Sequence, residues 1–385
     1  MSLKQRSIVV GIDASRCRSG GAQAHVHGLI CEGNPVAHGI KEVHLWAPSS
    51  LLASLPDRPW LIKHSHPYLE QSLAKQLWWQ AALLPKAVKQ AHCDLLFTAD
   101  ASTVCRFRPM VVLSQDLLSY EPGVMRHFGF GYERLRLLAI LWLQNTAFRR
   151  AAGVIFLTRY TGSVIQKSCG SLQRVAYIPH GVSDNFRSPQ PLRPWPLNNE
   201  RPIRLLYVSP VLQYKHQWQV VKAVELLRKR SYNLNLTLVG GGSGAAQSKL
   251  QAQIAESDPH KQFVNQVGSI PYESMPGYQA DADIFIFASS CENMPVTLLE
   301  AMASGLPIAC SNRGPMPEVL EDAGEYFDPE DPDSIAAAVE ALLVDPEKRQ
   351  RLAARAKALS DLYSWARCAA ETWSFIVKTY KETKA

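Results

Sequence analysis

The sequence lacks the features of membrane-spanning, disulfide-rich and zinc-binding chains. Its longest purely apolar run, residues 137–143, is far shorter than the roughly 20 residues that cross a bilayer. Its eight cysteines include no Cys-x-x-Cys pair and no metal-ligand spacing, so we expect reduced thiols, no structural bridges and no zinc. Because Lys4 and Arg6 lead directly into a predicted strand, we also expect no signal peptide and a cytoplasmic protein.

The first half of the sequence alternates between short apolar runs and helical segments. A chain of 385 residues is long enough for two domains. Strands are predicted at 7–13, 42–47, 94–98, 110–113, 153–157 and 175–178, with helices at 21–30, 68–90 and 132–150. This βαβ pattern predicts a parallel sheet.

The second half begins the same pattern again after a proline-rich polar stretch. We predict an N-terminal domain over 1–186, a linker over 187–202 and a C-terminal domain over 203–363. The C-terminal domain has predicted strands at 203–209, 234–239 and 284–287 and a helix at 217–229. A Rossmann-like unit is therefore predicted in each half.

Residues 288–307 contain the most informative stretch, which reads as a loop followed by a short helix. Pro295 suits the first helical position, and Gly305 is typical of a helix end. The first helical amides, at Val296 and Thr297, can bind an anion such as a phosphate. Glu292 and Glu300 lie on either side of that position, where their carboxylates could accept hydrogen bonds from sugar hydroxyls. A nucleotide-sugar would fit this layout, although two such glutamates can also be merely solvated.

This stretch resembles the retaining GT-B glycosyltransferases of family 4, group 1. Their signature is a glutamate, seven residues, and a second glutamate followed by Ala-Met-Ala, as at Glu292 and Glu300 here. The resemblance implies that Glu292 contacts the donor sugar and Glu300 the ribose. The helix start at 294–297 would stabilise the leaving diphosphate, and the substrate-binding candidates here include Asn293, Met294, Val296 and Thr297. It also implies an α/β GT-B fold with two Rossmann-like domains facing across a cleft. A final helix at 364–385 would cross back to the N-terminal domain.

Four further positions match the family or depart from it. The Gly20-Gly21 pair matches a motif that lets backbone approach the donor diphosphate, although turns use glycine in any case. Gln115 stands where many members have a histidine that faces the donor sugar; glutamine can bond a hydroxyl but cannot act as acid or base. Lys215 matches a diphosphate-binding lysine. Ile270 ends the segment 267–270, which we expect to offer backbone to the nucleotide base.

The family's Gly-Arg pair before that lysine is replaced here by Ser209-Pro210. Arg16 or Arg18 is a candidate replacement for the missing guanidinium. His180, in a segment that the family also contains, is interpreted as structural or hinge-related.

Two other motifs are discounted. Residues 240–245 imitate a dinucleotide-binding fingerprint, but no acidic residue ends a following strand some 20 residues later. Asp281 and Asp283 imitate a metal-binding Asp-x-Asp motif, but they stand where a helix leads into a strand, which favours a structural role.

The implied reaction is transfer of a sugar from a nucleotide-sugar donor to an acceptor hydroxyl with retained configuration. Glu292 and Lys215 are the catalytic candidates, and no metal or other cofactor is expected. The acceptor would be a saccharide or a lipid-linked saccharide of surface-polysaccharide or lipopolysaccharide biosynthesis. Two alternatives stay open: a GT-B epimerase or phosphorylase, and a nucleotide-sugar or glycan-binding subunit with little turnover, which the Gln115 and Pro210 departures would fit.

Charge is distributed unevenly along the chain. Residues 1–190 contain 21 Lys and Arg against 11 Asp and Glu, whereas the whole chain has a net charge of +7. This asymmetry indicates an anionic partner for the N-terminal domain, and we expect no nucleic acid. One hypothesis is that the arginine-flanked helix 132–150, with Trp78 and Trp79, contacts an anionic membrane surface bearing the acceptor. The alternative is a basic face that only keeps the protein soluble.

Overall fold

The computed structural model describes residues 7–18, 20–125, 131–187, 195–196 and 200–384. The chain divides into two compact units, Met1–Gly181 with Ser364–Ala385, and Val182–Tyr363. We call them the N-terminal and the C-terminal unit. Every helix in the described ranges is too short or too polar to span a bilayer.

Each unit contains one parallel sheet. The N-terminal strands are β1 (Ile8–Asp13), β2 (Ile40–Trp46), β3 (Leu61–His64), β4 (Leu95–Thr98), β5 (Met110–Leu113), β6 (Gly153–Phe156) and β7 (Val175–Tyr177). The C-terminal strands are β8 (Ile203–Val208), β9 (Leu234–Val239), β10 (Val264–Val267), β11 (Ile284–Phe287), β12 (Ile308–Ser311) and β13 (Glu325–Phe327). The spatial orders are β3-β2-β1-β4-β5-β6-β7 and β10-β9-β8-β11-β12-β13. In each sheet the direction of chain progression reverses once, between β1 and β4 and between β8 and β11.

Helices connect and cover these strands. They are α1 (Gly20–Cys31), α2 (Ser49–Ser54), α3 (Leu73–Trp78), α4 (Leu84–Gln90), α5 (Tyr132–Arg150), α6 (Arg159–Cys169), α7 (Gln217–Lys229), α8 (Gly244–Ser257), α9 (Met275–Ala280), α10 (Val296–Ala303), α11 (Met316–Leu320), α12 (Pro332–Val344), α13 (Pro346–Ser360) and α14 (Trp365–Lys384). The central strands are buried over their whole length, as parallel strands with both faces covered must be. Their continuous apolar runs are what made them recognisable in the sequence.

Several predicted elements are confirmed to the residue, namely the strands 110–113, 234–239 and 284–287 and the helices 132–150 and 217–229. The prediction of one helix over 68–90 is wrong. The chain forms a 3-10 turn at Pro67–Glu70, then α3, a π-helical turn at Trp79–Leu83, and α4. Pro85 in the first turn of α4 has no N–H to donate to the preceding turn, which accounts for the irregular ladder there.

The last helix, α14, packs on the N-terminal unit. A side chain at Gly28 of α1 would lie 2.2 Å from the Trp365 ring, so only glycine lets the two helices approach so closely. Tyr380 donates a 3.0 Å hydrogen bond to Asp94, and Arg174 pairs with Glu382 at 2.8 Å. These contacts fix both ends of the helix.

The predicted linker lies largely outside the described residues, which omit 188–194 and 197–199. Of its described part, Trp195 lies against Arg349 of α13, whose guanidinium carbon is 3.5 Å from the indole centroid. Arg201 forms a bidentate pair with Asp283 at 2.6 and 2.7 Å. Trp195 and Arg201 thus both contact residues of the C-terminal unit.

Candidate functional site

The candidate site of the C-terminal unit lies where its strand order reverses. The loop after β8 contains Lys215, and the loop after the neighbouring strand β11 contains Glu292. Open α/β sheets bind ligands at the carboxyl ends of the strands that flank such a reversal. The topology therefore brings together two residues that are 77 positions apart in sequence.

Backbone and side-chain hydrogen bonds fasten these two loops to each other. Ser290 donates its N–H to the Tyr214 carbonyl at 2.8 Å, and its hydroxyl lies 2.8 Å from His216 Nε2. The Tyr207 hydroxyl donates to the Lys215 carbonyl at 2.6 Å. The backbone around Lys215 is thus fixed before its side chain meets any ligand.

Lys215 and Glu292 form an ion pair, in which Lys215 Nζ donates to Glu292 Oε1. Their side chains are only 10% and 14% exposed. The ammonium also lies 5.4 Å from the ring centroid of Tyr214 and 5.6 Å from that of Phe287. Partial burial strengthens the interaction of both charges with a polar ligand, because little water screens them.

The helix that follows Glu292 begins one residue later than predicted. Pro295 is the residue before the first helical position, and its carbonyl accepts the amides of Leu298 and Leu299. The prediction that Pro295 itself is the first helical residue is therefore wrong. The first helical amides still belong to Val296 and Thr297, which are half-buried, while the side chains of the preceding Asn293 and Met294 are buried.

Glu300 lies on α10 with its side chain buried, at 2% exposure. The Tyr272 hydroxyl donates to Glu300 Oε1 at 2.8 Å. Burial raises the pKa of the Glu300 carboxyl to about 7, although the Tyr272 hydrogen bond opposes that shift. The alternative of a solvated carboxylate is excluded for this residue.

Ile270 lies half-buried in the loop after β10, just before the 3-10 turn Tyr272–Ser274. The glycine-rich loop after β9 has a packing role: a side chain at Gly240, whose φ is +128°, would lie 2.1 Å from the Ser209 carbonyl oxygen. Val211 and Gly242 form a β-bridge beside it. The close approach of two loops thus explains these glycines without a dinucleotide.

The Asp281 and Asp283 side chains are engaged by arginines. Asp283 accepts from Arg201 and from the Arg204 backbone N–H at 2.8 Å, and Asp281 lies 3.7 Å from the Arg204 guanidinium. Both carboxylates therefore fasten the start of β8 to the segment before β11.

In the N-terminal unit, Gly20, Gly21 and Gln115 lie near the carboxyl ends of β1 and β5. Gly20 begins α1 with a φ of +65°, which favours glycine. A side chain at Gly21 would lie 3.3 Å from the His180 ring and 3.6 Å from Gln115 Oε1. Burial, with the neighbouring His25, lowers the pKa of His180 well below its ordinary value, so the ring is neutral.

Asp13 at the end of β1 shapes the loop before α1, which the sequence did not reveal. Its buried carboxylate accepts from the N–H and hydroxyl of Ser15 and from Gln80 Nε2 at 2.7 Å. Burial raises the pKa of Asp13. The apolar strand before it gave no sign of a buried carboxylate.

The two arginines considered as replacements for the missing family arginine have partners inside the N-terminal unit. Arg16 pairs with Asp100 at 3.3 Å and donates to the Ser102 carbonyl at 2.8 Å. Arg18 donates to the Leu69 carbonyl. Each guanidinium would have to exchange or share these partners to bind a ligand.

Comparison with known proteins gives one family and many relatives. Residues 191–359 match the family described as glycosyl transferases group 1. The O-antigen chain mannosyltransferase B of Escherichia coli is 30% identical over 167 residues, 43% of this chain and 44% of that protein. A GDP-mannose-dependent alpha-(1-6)-phosphatidylinositol monomannoside mannosyltransferase of Mycolicibacterium smegmatis is 29% identical over 54% of this chain and 59% of its own. The chain thus spans about half the length of these curated relatives.

Solved structures resemble the whole chain. Sucrose-phosphate synthase of Thermosynechococcus elongatus matches with a TM-score of 0.74 and 18% identity, covering 98% of this chain and 99% of its own. Anabaena HepE, solved in complex with UDP and glucose, matches with a TM-score of 0.70 and 19% identity, covering 95% of this chain and 98% of its own. These likenesses confirm the predicted GT-B fold. The match to the group 1 glycosyl transferases covers residues 191–359 of this chain.

Proposed function

We propose that this chain is a retaining glycosyltransferase that moves a sugar from a nucleotide-sugar donor to a hydroxyl of a saccharide or lipid-linked saccharide. The observation that carries the proposal is the Lys215–Glu292 pair at the sheet reversal, directly before the start of α10. A cation and a row of helical amides suit a diphosphate, and the carboxylate beside them suits sugar hydroxyls.

The donor is proposed to extend along the C-terminal unit in three parts. The base lies by the backbone near Ile270, the ribose at Glu300, and the diphosphate at Lys215 and the amides of Val296 and Thr297. Because the side chains of Asn293 and Met294 are buried, these two residues would contribute through their backbone.

In the reaction, the bond between the sugar's anomeric carbon and the diphosphate oxygen breaks, and its electron pair leaves with the diphosphate. The acceptor oxygen attacks the same face, and its proton passes to the departing phosphate oxygen. Lys215 stabilises the charge that develops on that oxygen, and Glu292 holds the sugar. The ammonium has three N–H donors, so it can bond a phosphate oxygen and Glu292 together.

Within the N-terminal unit, Gly20, Gly21 and Gln115 are proposed as substrate-binding residues. Gly21 leaves backbone accessible to a phosphate because no side chain intervenes, and the neutral amide of Gln115 can bond a sugar hydroxyl. Since Gln115 cannot exchange a proton, the leaving diphosphate is the base in this mechanism.

An anionic membrane surface at the cytoplasmic face is the proposed location of a lipid-linked acceptor, as in surface-polysaccharide or lipopolysaccharide assembly. The support is one face of α5. Tyr132, Leu135, Leu138 and Trp142 follow one another at helical spacing and are 77%, 68%, 45% and 69% exposed. Tyrosine and tryptophan suit the boundary between headgroups and acyl chains, since each ring has an apolar body and a polar edge.

Arginines flank this apolar face. Arg134 and Arg136 lie near its beginning, and Arg149 and Arg150 end the helix. Arg136 also pairs with Glu133 at 3.2 Å, and Arg149 donates to the Cys169 carbonyl at 2.9 Å. The combination of exposed apolar side chains and cations complements an anionic bilayer rather than a neutral one.

The experiment is incubation of the purified chain with radiolabelled UDP- and GDP-sugars, with and without EDTA, followed by separation of free sugar and nucleoside diphosphate. We expect slow hydrolysis of one donor, insensitive to EDTA, and stabilisation of the fold by that donor in a melt. Donor binding without hydrolysis or transfer would favour the alternative of a binding subunit, and conversion of the donor to an epimer would favour an epimerase. Both results would overturn the proposal.

A further inference from the structure

The Tyr272 hydroxyl donates a hydrogen bond to the Glu300 carboxylate. Neither the position of Tyr272 in the sequence nor the two-glutamate motif indicated this contact. The two oxygens are 2.8 Å apart. Among the described residues, no other side chain donates to this carboxylate. Glu300 is on α10, while Tyr272 begins the 3-10 turn Tyr272–Ser274, so the bond joins two separate elements of the C-terminal unit.

Tyr272 differs from an ordinary core tyrosine in its exposure. The residue is 52% exposed, whereas the Glu300 side chain that it bonds is 2% exposed. Its ring meets Phe186 edge to face, with centroids 5.7 Å apart. The ring is therefore held in place on one side, while the rest faces solvent beside the loop that contains Ile270.

A buried carboxylate with a single side-chain donor has unused hydrogen-bonding capacity. A carboxylate offers about four lone-pair sites on two oxygens, and the Tyr272 hydroxyl occupies one of them on Oε1. A buried charge that lacks further donors is unfavourable, which is also why its pKa is raised. A ligand with two adjacent hydroxyls would supply the donors that this carboxylate lacks.

We infer that Tyr272 is a positioning residue for the nucleotide ribose, which fixes the Glu300 carboxylate so that its remaining lone pairs accept the 2′- and 3′-hydroxyls. This inference rests on the proposed donor site and extends it to a residue outside the two-glutamate motif. The bond to Oε1 sets the direction in which the carboxylate presents its other lone pairs, because a carboxylate is planar and turns as one body.

The test compares Tyr272→Phe with the unmodified chain in calorimetric titrations of UDP, GDP and their 2′,3′-dideoxy counterparts. Phenylalanine keeps the ring and its contact with Phe186 and removes only the hydroxyl. We expect the preferred nucleoside diphosphate to bind about 5- to 10-fold more weakly to the variant, in line with the loss of one hydrogen bond to a charged group. The dideoxy form should bind both proteins within about twofold, because it has no hydroxyls for Glu300 to receive.

Tyr326→Phe is the matched control. It removes a hydroxyl of the same unit that donates to the Glu321 carbonyl at 2.6 Å rather than to Glu300, and it should leave the preference for ribose intact. Glu300→Gln tests the other partner of the same hydrogen bond, and it should reduce the preference for the ribose form over the dideoxy form. Adding Tyr272→Phe to Glu300→Gln should reduce that preference little further, since both changes act on one interaction.

Two results would count against the inference in different ways. If Tyr272→Phe weakens the binding of the ribose and dideoxy nucleotides equally, or weakens the binding of neither, Tyr272 does not position Glu300 for ribose. The proposed function then still stands. If the unmodified chain binds no nucleoside diphosphate, the proposed function fails and the inference fails with it.

Discussion

At the scale of single residues, the Lys215–Glu292 ion pair couples the two catalytic candidates. The prediction for Glu292→Gln is a loss of turnover of about 100-fold or more with the fold intact, because the amide keeps the shape but loses the charge that contacts the sugar. Steady-state kinetics measures the loss of turnover. Glu325→Gln is the control: it makes the same chemical change at a residue of β13 that forms an ion pair with Lys348 of α13. Unchanged kcat/KM in Glu292→Gln would exclude this residue from the site.

Replacement of the lysine should act on binding as well as on turnover. We expect Lys215→Ala to weaken nucleoside diphosphate binding by about 1.5 to 3 kcal/mol, the contribution of a charge-assisted hydrogen bond. Isothermal titration calorimetry with UDP and GDP measures the change. Lys222→Ala, which removes an ion pair with Glu225 on α7, should have no effect. Equal affinity in Lys215→Ala and the unmodified chain would make Lys215 a structural partner of Glu292 only.

Glu300 should give a pH-dependent contribution to stability. Its pKa in the folded chain is raised from 4.5 to about 7 by burial, so the folded state binds a proton more tightly than the unfolded state. The free energy of unfolding should therefore fall between about pH 4.5 and pH 7, because over that range the carboxyl ionises in the unfolded chain while it stays largely protonated in the folded one.

Glu300→Gln should remove that dependence. The difference in free energy of unfolding between the variant and the unmodified chain should shift by roughly 2–3 kcal/mol in favour of the variant from pH 4.5 to pH 7, and little further above pH 7. Denaturant unfolding at a series of pH values measures the difference. A difference that does not vary with pH would show that Glu300 titrates at its ordinary value.

At the scale of elements, the exposed face of α5 gives the membrane proposal its test. Leu135→Ser with Trp142→Ser should lower the fraction of protein that sediments with phosphatidylglycerol vesicles by about tenfold or more, since two apolar side chains no longer enter the interface. Leu362→Ser is a control of the same chemical kind, because Leu362 is 51% exposed in the C-terminal unit. An equal effect of control and test variants would remove α5 from the proposal.

The segment before α4 shows how local chemistry changes an element. Residues 68–90 have the apolar spacing of one helix, but Pro85 and the π-helical turn at Trp79–Leu83 rotate successive side chains. Trp79 becomes buried at 2% exposure, while Trp78 remains 53% exposed. Trp79 is therefore a core residue that cannot contact a membrane surface, whereas Trp78 is exposed.

At the scale of the whole molecule, the uneven charge predicts salt-dependent attraction to an anionic surface. Residues 1–190 have 21 basic against 11 acidic residues. Binding to phosphatidylglycerol vesicles should be strong at about 0.05 M salt and much weaker at about 0.5 M, where the screening length is shorter. Co-sedimentation measures both. Equal binding to phosphatidylcholine and phosphatidylglycerol vesicles, or binding to neither, would exclude the membrane surface and favour a soluble acceptor.

The sequence by itself determined the features that depend on neighbours along the chain. The strands β5 and β11 were recognisable as short apolar runs, and β9 as an alternation of leucines with polar residues. The start of α10 was misplaced by one residue only. Two parallel sheets followed from the alternation of strands and helices. The spacing of Glu292 and Glu300, together with the Ala-Met-Ala that follows Glu300, indicated the resemblance to group 1 glycosyltransferases.

Only the tertiary structure decided which distant side chains meet. Lys215 reaches Glu292 because β8 and β11 are neighbours at the reversal of strand order, and Tyr272 reaches Glu300 because the 3-10 turn Tyr272–Ser274 lies beside α10. No periodicity encodes either pairing, since each depends on which strands lie side by side and on how far a side chain extends. The same holds for burial: the carboxyl of Glu300 acquires its raised pKa from surroundings that the packed fold alone provides.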